Sequence, residues 1–115
     1  MIGIQGTSNF NDYAVFLGAM GVALRRLPDE DKTITVFSAG PLNVNRFAAE
    51  FLNVSENGLK ARGIKAKLVK VPPSWFEKNI HTIDHFAYFA KYKEPLSSIT
   101  TLADAKNVDV QVYRF

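Results

Sequence analysis

Short apolar runs alternate with longer stretches of helical periodicity along this whole chain, and that alternation leaves it few architectures. Met1–Gly6 is short, apolar and closed by glycine, as a buried strand is. Thr33–Ala39 (Thr-Ile-Thr-Val-Phe-Ser-Ala) is rich in β-branched residues and reads as a second strand. Ala66–Val71 alternates charged and apolar residues as a third, and Val108–Arg114 alternates as the last. Asp84–Ala90 taken alone fits either a helix or a buried strand. As a strand it brings the count to about five, which is the preferred assignment. As a helix it would leave Ile99–Leu102 to pair with the last strand as a hairpin.

The intervening segments carry helix signals. Asn11 or Asp12 can cap a helix running to about Leu27, with Tyr13, Phe16, Leu17, Met20, Leu24 and Leu27 on one face. Pro28–Asp31 reads as a turn. A second helix is expected from about Val44, with Phe47, Ala48, Phe51 and Leu52 inward. Asn57-Gly58 interrupts its pattern, and Gly63 is a good stop. Ser74 is placed to cap a short helix from Trp75 to about Ile80, and Ser97 or Ser98 one running to about Asn107. All five prolines fall at these boundaries. Strand–helix alternation of this kind, with right-handed crossovers, predicts a doubly wound α/β fold with a mainly parallel sheet and helices on both faces.

At 115 residues, 47% of them hydrophobic, the chain suits one domain spanning 1–115 with a real core. It has no cysteine, which excludes disulfides, thiol catalysis and thiolate metal sites. No apolar run is long enough to span a membrane, and Met1–Gly6 lacks the basic region and cleavage site of a signal peptide. The expected setting is soluble and cytoplasmic, without a membrane partner. The formal charge of +3 is a mild basic excess. Lys60, Arg62, Lys65, Lys67 and Lys70 form a loose cluster that reads as a solvated surface rather than a phosphate-tracking patch, so nucleic acid is not the expected partner.

In an open parallel sheet, ligands bind beyond the C-terminal ends of the strands, where the winding reverses. That rule selects Gly6, Thr7, Ser8 and Asn9 after the first strand. It selects Gly40, Pro41, Leu42, Asn43, Asn45 and Arg46 after the second, with Arg46 placed one residue inside its helix. Lys91 after the fourth strand and Ser97 and Ser98 at the last helix start complete the set. These small, hydroxyl, amide and cationic residues can hold phosphate or ribose with help from helix N-terminal amides. The same residues also serve ordinary turns and caps.

Catalytic constellations are weak. His81, Asp84 and His85 are too few and poorly placed for a metal site. There is no nucleophile elbow and no Walker-type loop. Glu50 is the one carboxylate kept as a candidate base. Trp75 and Phe76 can stack on a base, but read first as core.

Val36-Phe-Ser-Ala-Gly-Pro-Leu-Asn-Val-Asn-Arg-Phe-Ala-Ala-Glu-Phe51 resembles the segment V-h-G-G-A-x-G-A-D-x-x-A-A-E-x of the SLOG superfamily, which includes DprA, the LOG-type proteins and the YspA-like domains. Ile4–Tyr13 is similar to its opening V-x-G-S-R-x-F-x-D-Y, Asp84–Phe89 to its A-D-x-V-I-A-F strand, and Ser97–Val112 to its closing helix and strand. The resemblance implies a Rossmann-like fold and a site for nucleotide derivatives of ADP-ribose, NAD or nucleoside-phosphate type.

Departures from the family pattern bear on activity. Asn9 or Ser8 stands where the family has arginine, Ala39 for the first of two glycines, Asn43 for another glycine and Asn45 for the aspartate. Ser97-Ser98 replaces Gly-Thr, and Thr101 stands at the LOG-type glutamate. The stretch between Trp75 and Asp84 is also shorter than the family's. The resemblance with these losses implies a non-catalytic sensor or sequestering domain for a nucleotide-derived ligand, a homo-oligomer as LOG-type proteins are, and no bound cofactor. The alternative is a small scaffold or inhibitor acting on a protein partner, of the kind that phages and mobile elements carry.

Overall fold

Each apolar run becomes a strand because its side chains can be buried, and each amphipathic segment becomes the helix that buries them. A computed structural model describes residues 1–27 and 32–115; the turn expected at Pro28–Asp31 lies outside the described residues. The strands are β1 (Ile2–Gly6), β2 (Thr33–Ser38), β3 (Lys65–Lys70), β4 (His85–Ala90) and β5 (Asp109–Arg114). The helices are α1 (Tyr13–Arg26), α2 (Leu42–Ala61), α3 (Pro73–Asn79) and α4 (Ser98–Ala105), with a 3₁₀ turn at Ile80–Thr82.

All the strand pairs are parallel, and the order across the five-stranded sheet is β3-β2-β1-β4-β5. The first two crossovers step outward from β1 through β2 to β3. The chain then returns past β1 to lay down β4 and β5 on the other side. Right-handed crossovers in opposite directions put α1 and α2 on one face and α3 and α4 on the other. The fold is therefore Rossmann-like and doubly wound, and the winding reverses between β1 and β4.

Two hydrophobic layers follow. On one face Phe16, Met20, Val44 and Phe51 pack on Ile2, Ile4, Val36 and Phe89. On the other, Phe76, Ile80 and Ile99 pack on Phe86, Tyr88 and Ala90. β4 is covered by both layers, and every one of its residues is buried. That double burial explains why Asp84–Ala90 shows no period-2 signal. α4 is helical and β5 pairs with β4, which rules out the hairpin involving Ile99–Leu102. Trp75 and Phe76 are core: Trp75 stacks on Phe37 at 4.3 Å, and Phe76 is fully buried.

Several expected boundaries move. α2 starts at Leu42, not near Val44, because Pro41 serves as its N-cap. It also runs unbroken through Asn57-Gly58 to Ala61, since Leu59 is buried and packing outweighs the local glycine cost. Ser74 is not a cap. Pro73 occupies the first turn of α3, where its missing N–H costs nothing, and Pro72 precedes it. α4 ends at Ala105 and not at Asn107, which adopts a positive φ as the chain turns toward β5.

Candidate ligand site at the C-terminal edge of the sheet

The loops after β1, β2 and β4 meet at one edge, and backbone hydrogen bonds sew them together. The Gly6 amide donates to the Gly40 carbonyl at 3.0 Å, and the Thr7 amide to the Phe89 carbonyl at 3.0 Å. α2 approaches this point so closely that a Cβ on Gly6 would lie 2.7 Å from Val44 Cγ2 and 3.3 Å from Phe89 Cβ. Gly40 has φ +83°, a left-handed conformation that favours glycine, and it turns the chain from β2 into α2.

The predicted polar residues divide into those that build the edge and those that remain available. Asn45 accepts a hydrogen bond from buried Ser38 Oγ, which in turn accepts the Gly40 amide at 3.2 Å. Asn43 Nδ2 donates to the Phe10 carbonyl and, at 3.5 Å, to that of Ser8. Asn43 therefore fastens the turn after β1 to α2, and Asn45 braces the junction of β2 with α2. Ser97 Oγ caps α4 by accepting the Thr100 amide at 3.2 Å. Lys91 anchors the β4–α4 loop through its backbone: its amide donates to Glu94 Oε2, and its carbonyl accepts from Arg114. Ser8, Asn9, Leu42, Ser98 and the Lys91 side chain are exposed. Leu42 and Asn43 lie in the first turn of α2 rather than in a loop. Arg46 is exposed one helical turn in, not one residue in, and no ion pair involves it among the described residues.

The helix N-termini at this edge differ. At α1, Asp12 accepts the Val15 amide at 3.1 Å, so a carboxylate already occupies the positive end of the dipole. At α2 the N-cap is Pro41, which has no acceptor side chain, and no side chain caps the first turn. The amides of Leu42 to Val44 therefore have no side-chain acceptor, beside Gly6 and one turn before Arg46.

Phe10 was missed from sequence. Its turn, closed by the Phe10 amide on the Thr7 carbonyl at 3.1 Å, carries the ring inward until it is fully buried. The ring stacks on Phe89 with centroids 4.5 Å apart and lies 5.8 Å from Phe47 and 5.4 Å from Phe115. An aromatic residue in an otherwise polar turn, six residues before Phe16 of α1, was the available signal. On the opposite face, Gln5 and Tyr88 are register neighbours. Gln5 Oε1 and, just beyond the strand, Thr7 Oγ1 are inaccessible and have no hydrogen-bond partner. Burial pushes the Tyr88 hydroxyl pKa up; Glu94 adds to this and Arg114 opposes it.

Glu50 is exposed and electrostatically close to Tyr13, whose pKa it helps to raise after burial. Asp84 pairs with the Met1 amino group. His85 is fully buried and bonded through Nδ1 to Asp109 at 2.9 Å, while His81 is exposed. Among the described residues, no group of three His, Asp or Glu side chains is placed to hold a metal. No helix among them is long and apolar enough to cross a membrane.

The cavity sequence reasoning did not anticipate lies elsewhere. A groove of about 480 Å³ runs between the second half of α2 and β3, floored by residues such as Leu52, Leu59, Ile64 and Leu68. No family model, curated protein sequence or solved structure matches the chain.

Proposed function

We propose that this domain binds a nucleotide-derived ligand of ADP-ribose, NAD or nucleoside-phosphate type at the C-terminal edge of its sheet, as a non-catalytic sensor or sequestering protein. The observation that carries this reading is the uncapped N-terminus of α2, seated against Gly6 beside the point where the winding reverses. In this reading the phosphate lies on the α2 amides with Arg46 as its counter-charge, because Asp12 repels an anion from α1. Asp12 is committed to a cap and Glu94 to the Lys91 amide, which leaves Glu50, exposed one turn beyond Arg46, as the carboxylate to test for chemistry. The SLOG-like motifs of the sequence agree with this assignment, since the strand order sets the two loops that carry them side by side.

A thermal-shift series with AMP, ADP-ribose, cyclic ADP-ribose and NAD tests it. At a ligand concentration about 100 times Kd, the native state gains ~2.7 kcal/mol, a rise of several degrees in Tm. The Arg46→Ala variant should lose the rise while keeping the melting point of the free protein. No rise with any of the four overturns the proposal, and release of free base from AMP overturns its non-catalytic part. We further infer a homo-oligomer, supported by the exposed apolar Leu42 and Val54 on α2; light scattering that returns the monomer mass would refute it.

A further inference from the structure

We propose that the outer edge of β3 accepts an acidic, extended segment of a partner protein as an added strand. β3 ends the sheet, and among the described residues nothing pairs with its outer side. The Lys65 amide donates inward to the Lys32 carbonyl and the Val71 amide inward to that of Ser38. Strand alternation therefore turns the N–H and C=O groups of Ala66, Leu68 and Lys70 outward, a row of unpaired main-chain groups.

Two features make this edge selective. The first is the groove between β3 and α2, about 480 Å³ and floored by apolar residues. Ala66 and Leu68 belong to the layer on that face, so alternate side chains of an incoming strand would enter the groove. The second is charge. No carboxylate occurs in the sequence between Glu56 and Glu77, whereas Lys60, Arg62, Lys65, Lys67 and Lys70 do. Among the described residues only Lys60 of these is in an ion pair, with Glu56 at 3.1 Å. Lys65 and Lys67 are exposed and border the groove, and strand alternation turns their side chains to the face away from Ala66 and Leu68. An incoming strand with acidic residues on that side and apolar residues on the other matches both.

A second copy does not match. Pairing β3 with itself would set lysines against lysines, which destabilises a ladder and is how edge strands avoid self-association. The same lysines that repel a copy attract an acidic chain.

The test uses the whole protein and two peptide arrays of alternating pattern. One array carries Glu or Asp between randomised Val, Ile, Leu and Phe positions; the other carries Lys or Arg instead. The expected result is capture of acidic members only, with amide NMR shifts concentrated at Ala66, Leu68 and Lys70 for the best peptide. N-methylation of alternate peptide amides should abolish binding in one of its two phases. The Lys65→Glu/Lys67→Glu variant should weaken that peptide by at least about tenfold at low salt. These surface changes leave the fold intact, which the NMR spectrum itself verifies.

Equal capture of both arrays, capture of neither, or shifts located away from β3 overturns the proposal. So does binding of an oligonucleotide probe at this edge in the absence of any peptide hit. The nucleotide thermal shift reads the other end of the strands and should be unchanged in the double variant, so failure of one assignment is distinguishable from failure of the other.

Discussion

Phe10 stacks on Phe89 with ring centroids 4.5 Å apart and an interplanar angle of 21°, and the two rings join the turn after β1 to the strand on the far side of the winding reversal. The contact holds the edge of the sheet in shape from below, since Phe10 is fully buried and its carbonyl is gripped by Asn43.

Phe10→Ala should therefore cost ~3–5 kcal/mol, the range for truncating a buried aromatic residue. Urea denaturation checks this through a lower midpoint with an unchanged slope. A loss below ~1 kcal/mol would mean that the turn closes without its ring.

Gly6→Ala should destabilise by ~1–3 kcal/mol, because the new methyl would lie 2.7 Å from Val44 Cγ2. Val44→Ala removes that neighbour, so the two changes should be strongly non-additive, with a coupling of ~0.5–3 kcal/mol in a double-mutant cycle. Simple additivity would show that the clash is relieved by movement of the helix.

Asp109→Ala strips buried His85 of its Nδ1 partner, while His85 Nε2 already has none. The expected loss is ~1–3 kcal/mol at neutral pH. Arg26→Ala, which removes only an exposed ion pair to the same carboxylate at 3.5 Å, should cost under ~1 kcal/mol. Equal losses for the two variants would contradict a buried histidine bond as the main contribution.

Stability should fall in alkali through Tyr88 and Tyr113. Burial raises both hydroxyl pKa values above the ordinary 10.0, so the folded chain holds these protons more tightly than the unfolded one. Their contribution is complete below about pH 10 and disappears as the pH climbs through the raised values. Denaturation midpoints measured between neutrality and strong alkali should decline, and Tyr88→Phe with Tyr113→Phe should flatten the decline. An unaltered decline in the double variant would assign it to other groups.

The β-branched runs and the boundary prolines make the fold legible in the sequence, because each acts within a few residues, and Ser97 is legible as one of two caps offered for α4. Asp12 was legible as one of two candidates for the same reason. Gly40-Pro41-Leu42-Asn43 reads as a break after the second strand, which puts Leu42 in a loop, whereas Pro41 serves as the N-cap and the helix starts at Leu42. Asn43 and Asn45 lie at the C-terminal edge of the sheet, in the first turns of α2. Their commitment to Phe10 and Ser38 was not readable, since partners 33 and 7 residues away are brought near only by the finished sheet. The groove beside β3 was hidden for a related reason. Alternation in Lys65–Lys70 indicates a strand with one wet side, yet only the strand order shows that it is last in line.

Pro41 has one more consequence. A serine or aspartate at that position would have quenched the first turn of α2 from within, leaving a closed and self-sufficient helix. With proline there, the first amides of the helix are left for solvent or a bound group to meet.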